Sequence, residues 1–79
     1  MQKLLEILEG IRPDVDFVNE MNLIDGGFLD SFDVASIIAE LNEEYDITIR
    51  VTELKPDNFN SAEAILKMVD RLRNNKHND

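Results

Sequence analysis

Ser31 lies in the run Leu29-Asp30-Ser31-Phe32-Asp33, where the loop Asp25-Gly26-Gly27 gives way to an amphipathic acidic helix. A hydroxyl in the first turn of a helix is exposed, and the unsatisfied backbone N–H groups there favour a phosphate ester. Ser31 is therefore a candidate attachment point. It is a poor nucleophile in its own right, because serine catalysis needs a base within hydrogen-bond reach and a group to orient that base. The one histidine, His77, belongs to a polar C-terminal stretch far along the chain. Any reaction at Ser31 must then be performed by another enzyme, and the chain itself is not expected to be one.

Other chemistry is scarce. Paired carboxylates can act as acid and base only where their environments drive their pKa values apart, and these acids read as solvated. Asp14-Val15-Asp16 and Asp57-Asn58-Phe59-Asn60-Ser61-Ala62-Glu63 faintly suggest calcium ligands. Neither has the twelve-position loop with glycine sixth and glutamate twelfth, so no metal site is expected. Gly26-Gly27 precedes a helix but lacks the strand and further glycines of a phosphate-binding loop. With no cysteine, thiolate metal sites and disulfide staples are excluded, and hydrophobic packing must hold the fold.

The elements that position Ser31 follow from periodicity. A chain of 79 residues forms one small domain, expected over 1–74, with 75–79 a disordered tail and fraying from Asn74. Leu4, Leu5, Leu8 and Ile11 have helical spacing, and Gly10 with Pro13 supplies a stop, giving a short first helix over Gln2–Leu8. Pro13 to Leu29 has no sustained period and reads as a long ordered loop, with Val15, Phe17, Val18, Met21, Leu23, Ile24 and Phe28 available to pin it to the core. Asp30 is placed as N-cap of the second helix, with Asp33 completing a capping box and Leu29 and Val34 spaced for a hydrophobic staple. Val34, Ile38, Leu41 and Tyr45 then form the stripe expected to face the core, with Asp46 near the helix end.

Ile47, Ile49 and Val51 alternate as in a strand, but no second convincing strand exists to pair with them, so this segment reads as an extended loop. Thr52-Glu53-Leu54-Lys55 forms a single helical turn before Pro56. Asn60 is placed as cap of the last helix with Glu63 three residues on, and Ala62, Ile65, Val69 and Leu72 recur at core spacing. The fold class is all-α: a small bundle of three main helices plus a short one, with a long loop between the first two.

Net charge is −9, and the stretch between Arg12 and Arg50 holds ten acids and no Lys or Arg, so the remainder of the chain sums to +1. Such a field repels nucleic acid and anionic membrane surfaces and attracts basic protein patches. The N-terminus lacks a signal-peptide pattern and no apolar run could span a bilayer, so the expected location is cytoplasmic, without membrane insertion. A monomer is expected.

The run Asp30-Ser31-Phe32-Asp33, followed by Leu41-Asn42-Glu43-Glu44-Tyr45-Asp46-Ile47, resembles the acyl carrier protein family. There a motif of the form Asp-Ser-Leu opens the second helix and an acidic stretch with a terminal aromatic closes it. The early helix, the acidic loop, the Ile-rich stretch and Asn58-Phe59-Asn60-Ser61-Ala62-Glu63-Ala64-Ile65 extend the likeness over almost the whole chain. The resemblance implies that Ser31, with Asp30 and Phe32 beside it as cofactor-binding residues, carries 4′-phosphopantetheine transferred from coenzyme A by a phosphopantetheinyl transferase. The thiol of that arm would hold an acyl or aminoacyl group as a thioester and present it to partner enzymes. Phe32 replaces the usual leucine, Ser36 stands where fatty-acid carriers have glutamate, and Glu40 where they have alanine. Asp30-Ser31-Phe32 after Gly27-Phe28-Leu29 is similar to the D-alanyl carrier proteins of lipoteichoic-acid modification, which implies an adenylating ligase as partner, with an acyltransferase the other possibility.

On the second helix Asp33, Ile37, Glu40 and Glu44 form one stripe beside the core stripe, with Glu43 adjoining. One reading makes Ile37 a boundary residue under the loop. The sharper one makes it the apolar anchor of a docking patch, with the carboxylates meeting Lys and Arg of partner enzymes. Two functions remain open at this point: a carrier modified at Ser31, and an acidic interaction module that acts unmodified.

Overall fold

The structure, a computed structural model, describes the backbone of residues 1–76 and the side chains of 1–74. Four α-helices follow one another, α1 (Gln2–Ile11), α2 (Ser31–Tyr45), α3 (Pro56–Phe59) and α4 (Ala62–Lys76), with a 3-10 turn at Val51–Glu53. No strand is present among the described residues. The all-helical bundle expected from the periodicity is therefore the architecture observed.

α1 runs through Gly10 to Ile11, further than its glycine suggested, and buries Leu4 and Leu8. It packs along α2 and also meets α4. Two ion pairs fix its direction: Arg12 at its end reaches Asp33 near the start of α2, and Lys3 at its start lies 3.4 Å from Glu44 near the end of α2. The two helices are antiparallel. The core gathers Leu4, Leu8, Phe17, Leu23, Ile37, Leu41, Phe59, Ile65, Met68 and Val69, all nearly or wholly buried.

The long loop is held by one side chain from the α3–α4 corner as well as by its own apolar residues. Asn60 Oδ1 accepts from the N–H groups of Ile24 and Asp25, each at 3.0 Å, while its Nδ2 donates to Asp25 and its carbonyl accepts from Leu23 N–H at 2.8 Å. Asn60 is thus the clasp of the loop and the C-cap of α3 rather than the cap of the last helix. That cap is Ser61, whose Oγ accepts from Ala64 N–H at 3.0 Å. Of the apolar loop residues, Val15, Phe17, Leu23 and Leu29 are buried and Ile24 half-buried, but Val18, Met21 and Phe28 face solvent. At Gly26 an added Cβ would meet Asn22 O at 2.6 Å, and Gly27 has φ +77°, so the Gly-Gly pair is required by the turn itself.

The Ile-rich segment satisfies its backbone without a partner strand. Asn42 accepts from Ile47 N–H through its carbonyl at 3.2 Å and from Ile49 N–H through Oδ1 at 2.9 Å. Ile47 and Ile49 are buried, whereas Val51 is exposed and begins the 3-10 turn. The helical turn read at 52–55 sits one residue earlier, and Pro56 opens the short α3 as an N1 proline. α4 continues through Lys76, so Asn74–Lys76 is helical where a frayed tail was expected. His77 and the rest of the tail lie outside the described residues.

Candidate functional site

Asp30 has extended backbone (φ −103°, ψ −178°), and its side chain accepts from Asp33 N–H at 2.8 Å. Asp33 Oδ2 accepts in return from Asp30 N–H at 3.2 Å. This reciprocal capping box makes Ser31 the first helical residue, as the spacing predicts. Ser31 is exposed, and its hydroxyl forms no hydrogen bond within the described residues. Phe32 beside it is 78% exposed, so an aromatic ring stands free next to the hydroxyl.

The capping box is itself anchored. Arg12 donates to Asp33 Oδ2 and, at 3.2 Å, to the Phe28 carbonyl, and makes two further bonds to Asp14 at 3.0 and 2.9 Å. Hydrogen bonds from Asp14 and then Asp33 raise the Arg12 pKa still further, and the guanidinium in turn holds the Asp14 carboxyl below its usual range. One cation therefore ties α1, the loop end and the start of α2 together around Ser31. Sequence reasoning missed Arg12, although it is the last base before the acidic window.

Two of the residues assigned to a docking patch are not on the surface. Ile37 is fully buried and Asp33 is 7% exposed, because the stripe Asp33–Ile37–Leu41 lies under α1. At about 100° per residue, the buried face is rotated by roughly 80° from the one centred on Val34, Ile38 and Tyr45. The latter three are only half-buried. Ile37 is thus core, and Asp33 is a cap and the partner of Arg12. Glu40 and Glu43 remain exposed, and Glu44 is exposed but paired with Lys3.

What rotates Val34 and Ile38 out of the core is a groove of about 400 Å³ between α2 and α3, lined also by Ile24, Leu29, Ala35, Leu54, Pro56 and Phe59. Asp30, Ser31 and Lys55 complete its lining. A solvent-facing hydroxyl at a helix start, opening on an apolar trough, suits a long covalent group joined through phosphate. No cluster of His, Cys, Asp or Glu able to hold a metal exists among the described residues.

Residues 2–69 match the family of the phosphopantetheine attachment site. The chain belongs to that family. It is similar to the D-alanyl carrier protein of Streptococcus sanguinis (strain SK36), with 36% identity over 73 residues, 91% of this chain and 92% of that protein. The D-alanyl carrier protein of Streptococcus mutans is 34% identical over the same length and shares of the two chains. That of Listeria monocytogenes serotype 4b is 34% identical over 74 residues, 91% of this chain and 95% of its own. The carrier bears a covalent 4′-phosphopantetheine group and is not an enzyme. Like carriers generally, it works with a phosphopantetheinyl transferase and with ligases or acyltransferases. Of the two functions left open by the sequence, the unmodified interaction module gains no support. No helix among the described residues is long and apolar enough to cross a membrane.

Proposed function

We propose that Ser31 is the attachment residue and that the carrier holds an aminoacyl group, D-alanine first among candidates, as a thioester. The observation that carries this is the free Ser31 hydroxyl at the first position of α2, open both to solvent and to the groove. In the transfer, Ser31 Oγ attacks the phosphorus of coenzyme A that bears the pantetheine arm. The nucleotide half leaves, and the hydroxyl proton passes to a base of the transferase. When attached, the arm supplies the thiol that a chain without cysteine lacks. The work of the carrier's own residues is to hold the start of α2: Asp30 and Asp33 cap it and Arg12 fixes the cap. The relatives' name supports D-alanine over a fatty acyl group, in line with the resemblance that Asp30-Ser31-Phe32 carries.

Exposed Phe32, Glu40 and Glu43 are the contacts we assign to partner enzymes, with Asp30 at the edge and Glu44 available if Lys3 releases it. A partner with a basic patch fits this surface. The carrier acts as a cytoplasmic monomer in this reading. The test is incubation with coenzyme A and a broad-specificity phosphopantetheinyl transferase, followed by intact mass measurement. A gain of one phosphopantetheine is expected, with none in Ser31→Ala. No gain under conditions that modify a control carrier refutes Ser31 as the site. Charging the product with ATP, an adenylating D-alanine ligase and a panel of amino and fatty acids then reads the cargo.

A further inference from the structure

A phosphodiester on Ser31 adds negative charge beside Asp30 and Asp33, within an acidic stretch that has no base of its own. Most cations of the chain are already engaged. Lys3 meets Glu44, Arg12 holds Asp14 and Asp33, Lys67 lies near Glu63, Arg71 binds Glu53, and Arg73 stands over the Tyr45 ring at 5.6 Å. Among the described residues Arg50 and Lys55 make no ion pair, and of these two it is Lys55 that lines the same groove as Ser31. Its neighbouring acid, Glu53, is occupied by two bonds from Arg71 and one from Asn58.

We propose that Lys55 is the counter-charge of the prosthetic arm: its ammonium pairs with the phosphodiester on Ser31 and draws the arm into the groove between α2 and α3. The inference rests on Ser31 as the attachment residue. Lys55 is well held for the task, since its N–H bonds Glu53 O at 2.9 Å and it immediately precedes the N1 proline of α3. Its aliphatic stem can lie along the apolar wall formed by Leu54, Pro56 and Phe59 while the ammonium stays in water. The arm's dimethyl carbon would face the same wall. An exposed pair of this kind adds little to fold stability, so its effect belongs in the order of the arm. Salt weakens it, the screening length being about 10 Å at 0.1 M.

The experiment compares apo and holo protein by NMR with the lysine side chains labelled, after intact mass has shown complete modification. The Lys55 Cε–Hε signal is expected to shift on modification more than any other lysine, with cross-peaks between Lys55 Hε and the arm's methyl groups. In Lys55→Met, modified to the same extent, those methyl signals should sharpen and their contacts to the groove residues should be lost; Lys55→Arg should restore them. Raising salt should return the Lys55 signal of the wild type toward its apo position. An unmoved Lys55 signal in fully modified protein, or a methyl spectrum identical in Lys55→Met and wild type, overturns the proposal while leaving Ser31 as the attachment residue. Wild-type protein that takes no phosphopantetheine overturns both.

Discussion

Asp33 and Ile37 show how one face of a helix can serve the site without touching a partner. Asp33 spends its carboxylate on the Asp30 N–H and on Arg12, and Ile37, one turn on, is sealed under α1. Ile37→Ala should therefore act as a core truncation, costing about 2–5 kcal/mol in denaturant unfolding, as a buried branched side chain does. Glu40→Lys should leave stability within about 0.5 kcal/mol, the usual range for a surface site. It should instead slow charging by a basic partner, most strongly at low salt, in stopped-flow or single-turnover kinetics. A small stability change in Ile37→Ala would contradict its place in the core. Equal charging rates for folded Glu40→Lys and wild type would remove Glu40 from the partner surface.

At the scale of elements, the long loop and the α3–α4 corner form one unit through Asn60. Its side chain makes three hydrogen bonds to the loop, to Ile24, Asp25 N–H and the Asp25 carboxylate. Asn60→Ala leaves two backbone donors without that acceptor, and a loss of about 1–3 kcal/mol is expected by chemical denaturation. Hydrogen exchange should localise the loosening to the Ile24 and Asp25 amides, and unchanged protection there would refute the clasp. The start of α2 and the apolar period of α4 were legible in the sequence: the Asp30 capping box and the Ala62–Ile65–Val69 stripe appear where spacing placed them. The Asn60 clasp was not legible, because an Asn three residues before a Glu looks like a helix cap locally. Only the distant loop amides reveal its role. Lys55 was equally hidden, since its relation to Ser31 exists only across the groove.

Over the whole molecule, excess acid sets the pH response. Arg12 holds Asp14 and Arg71 holds Glu53 below their ordinary values of 3.8 and 4.5, in each case chiefly through hydrogen bonds. A carboxyl whose folded pKa is depressed stabilises the fold above its unfolded pKa, and that contribution is lost as pH falls toward the folded pKa. Both pairs are partly solvated, so the contribution is modest and salt-sensitive. Relief of repulsion among the acids acts in the opposite direction on acidification. The two effects are separable: the Arg12→Gln, Arg71→Gln double variant, made on a Glu40→Gln, Glu43→Gln background so that the net charge stays at −9, loses the pairs. Between about pH 5 and about pH 3 the difference in thermal midpoint between wild type and this variant should shrink. A constant difference would show that these pairs do not contribute.

The sequence by itself determined the helical class, the start of α2 at Ser31, the want of a local base and the acidic field, because caps, periods and charge are properties of neighbours along the chain. The tertiary structure alone decided which face of α2 is buried, since α1 and the α2–α3 groove compete for that helix and a period of 3.6 leaves their division open within a fraction of a turn. That division moved Ile37 into the core, gave Asp33 to Arg12, and brought Lys55 to the groove that Ser31 shares.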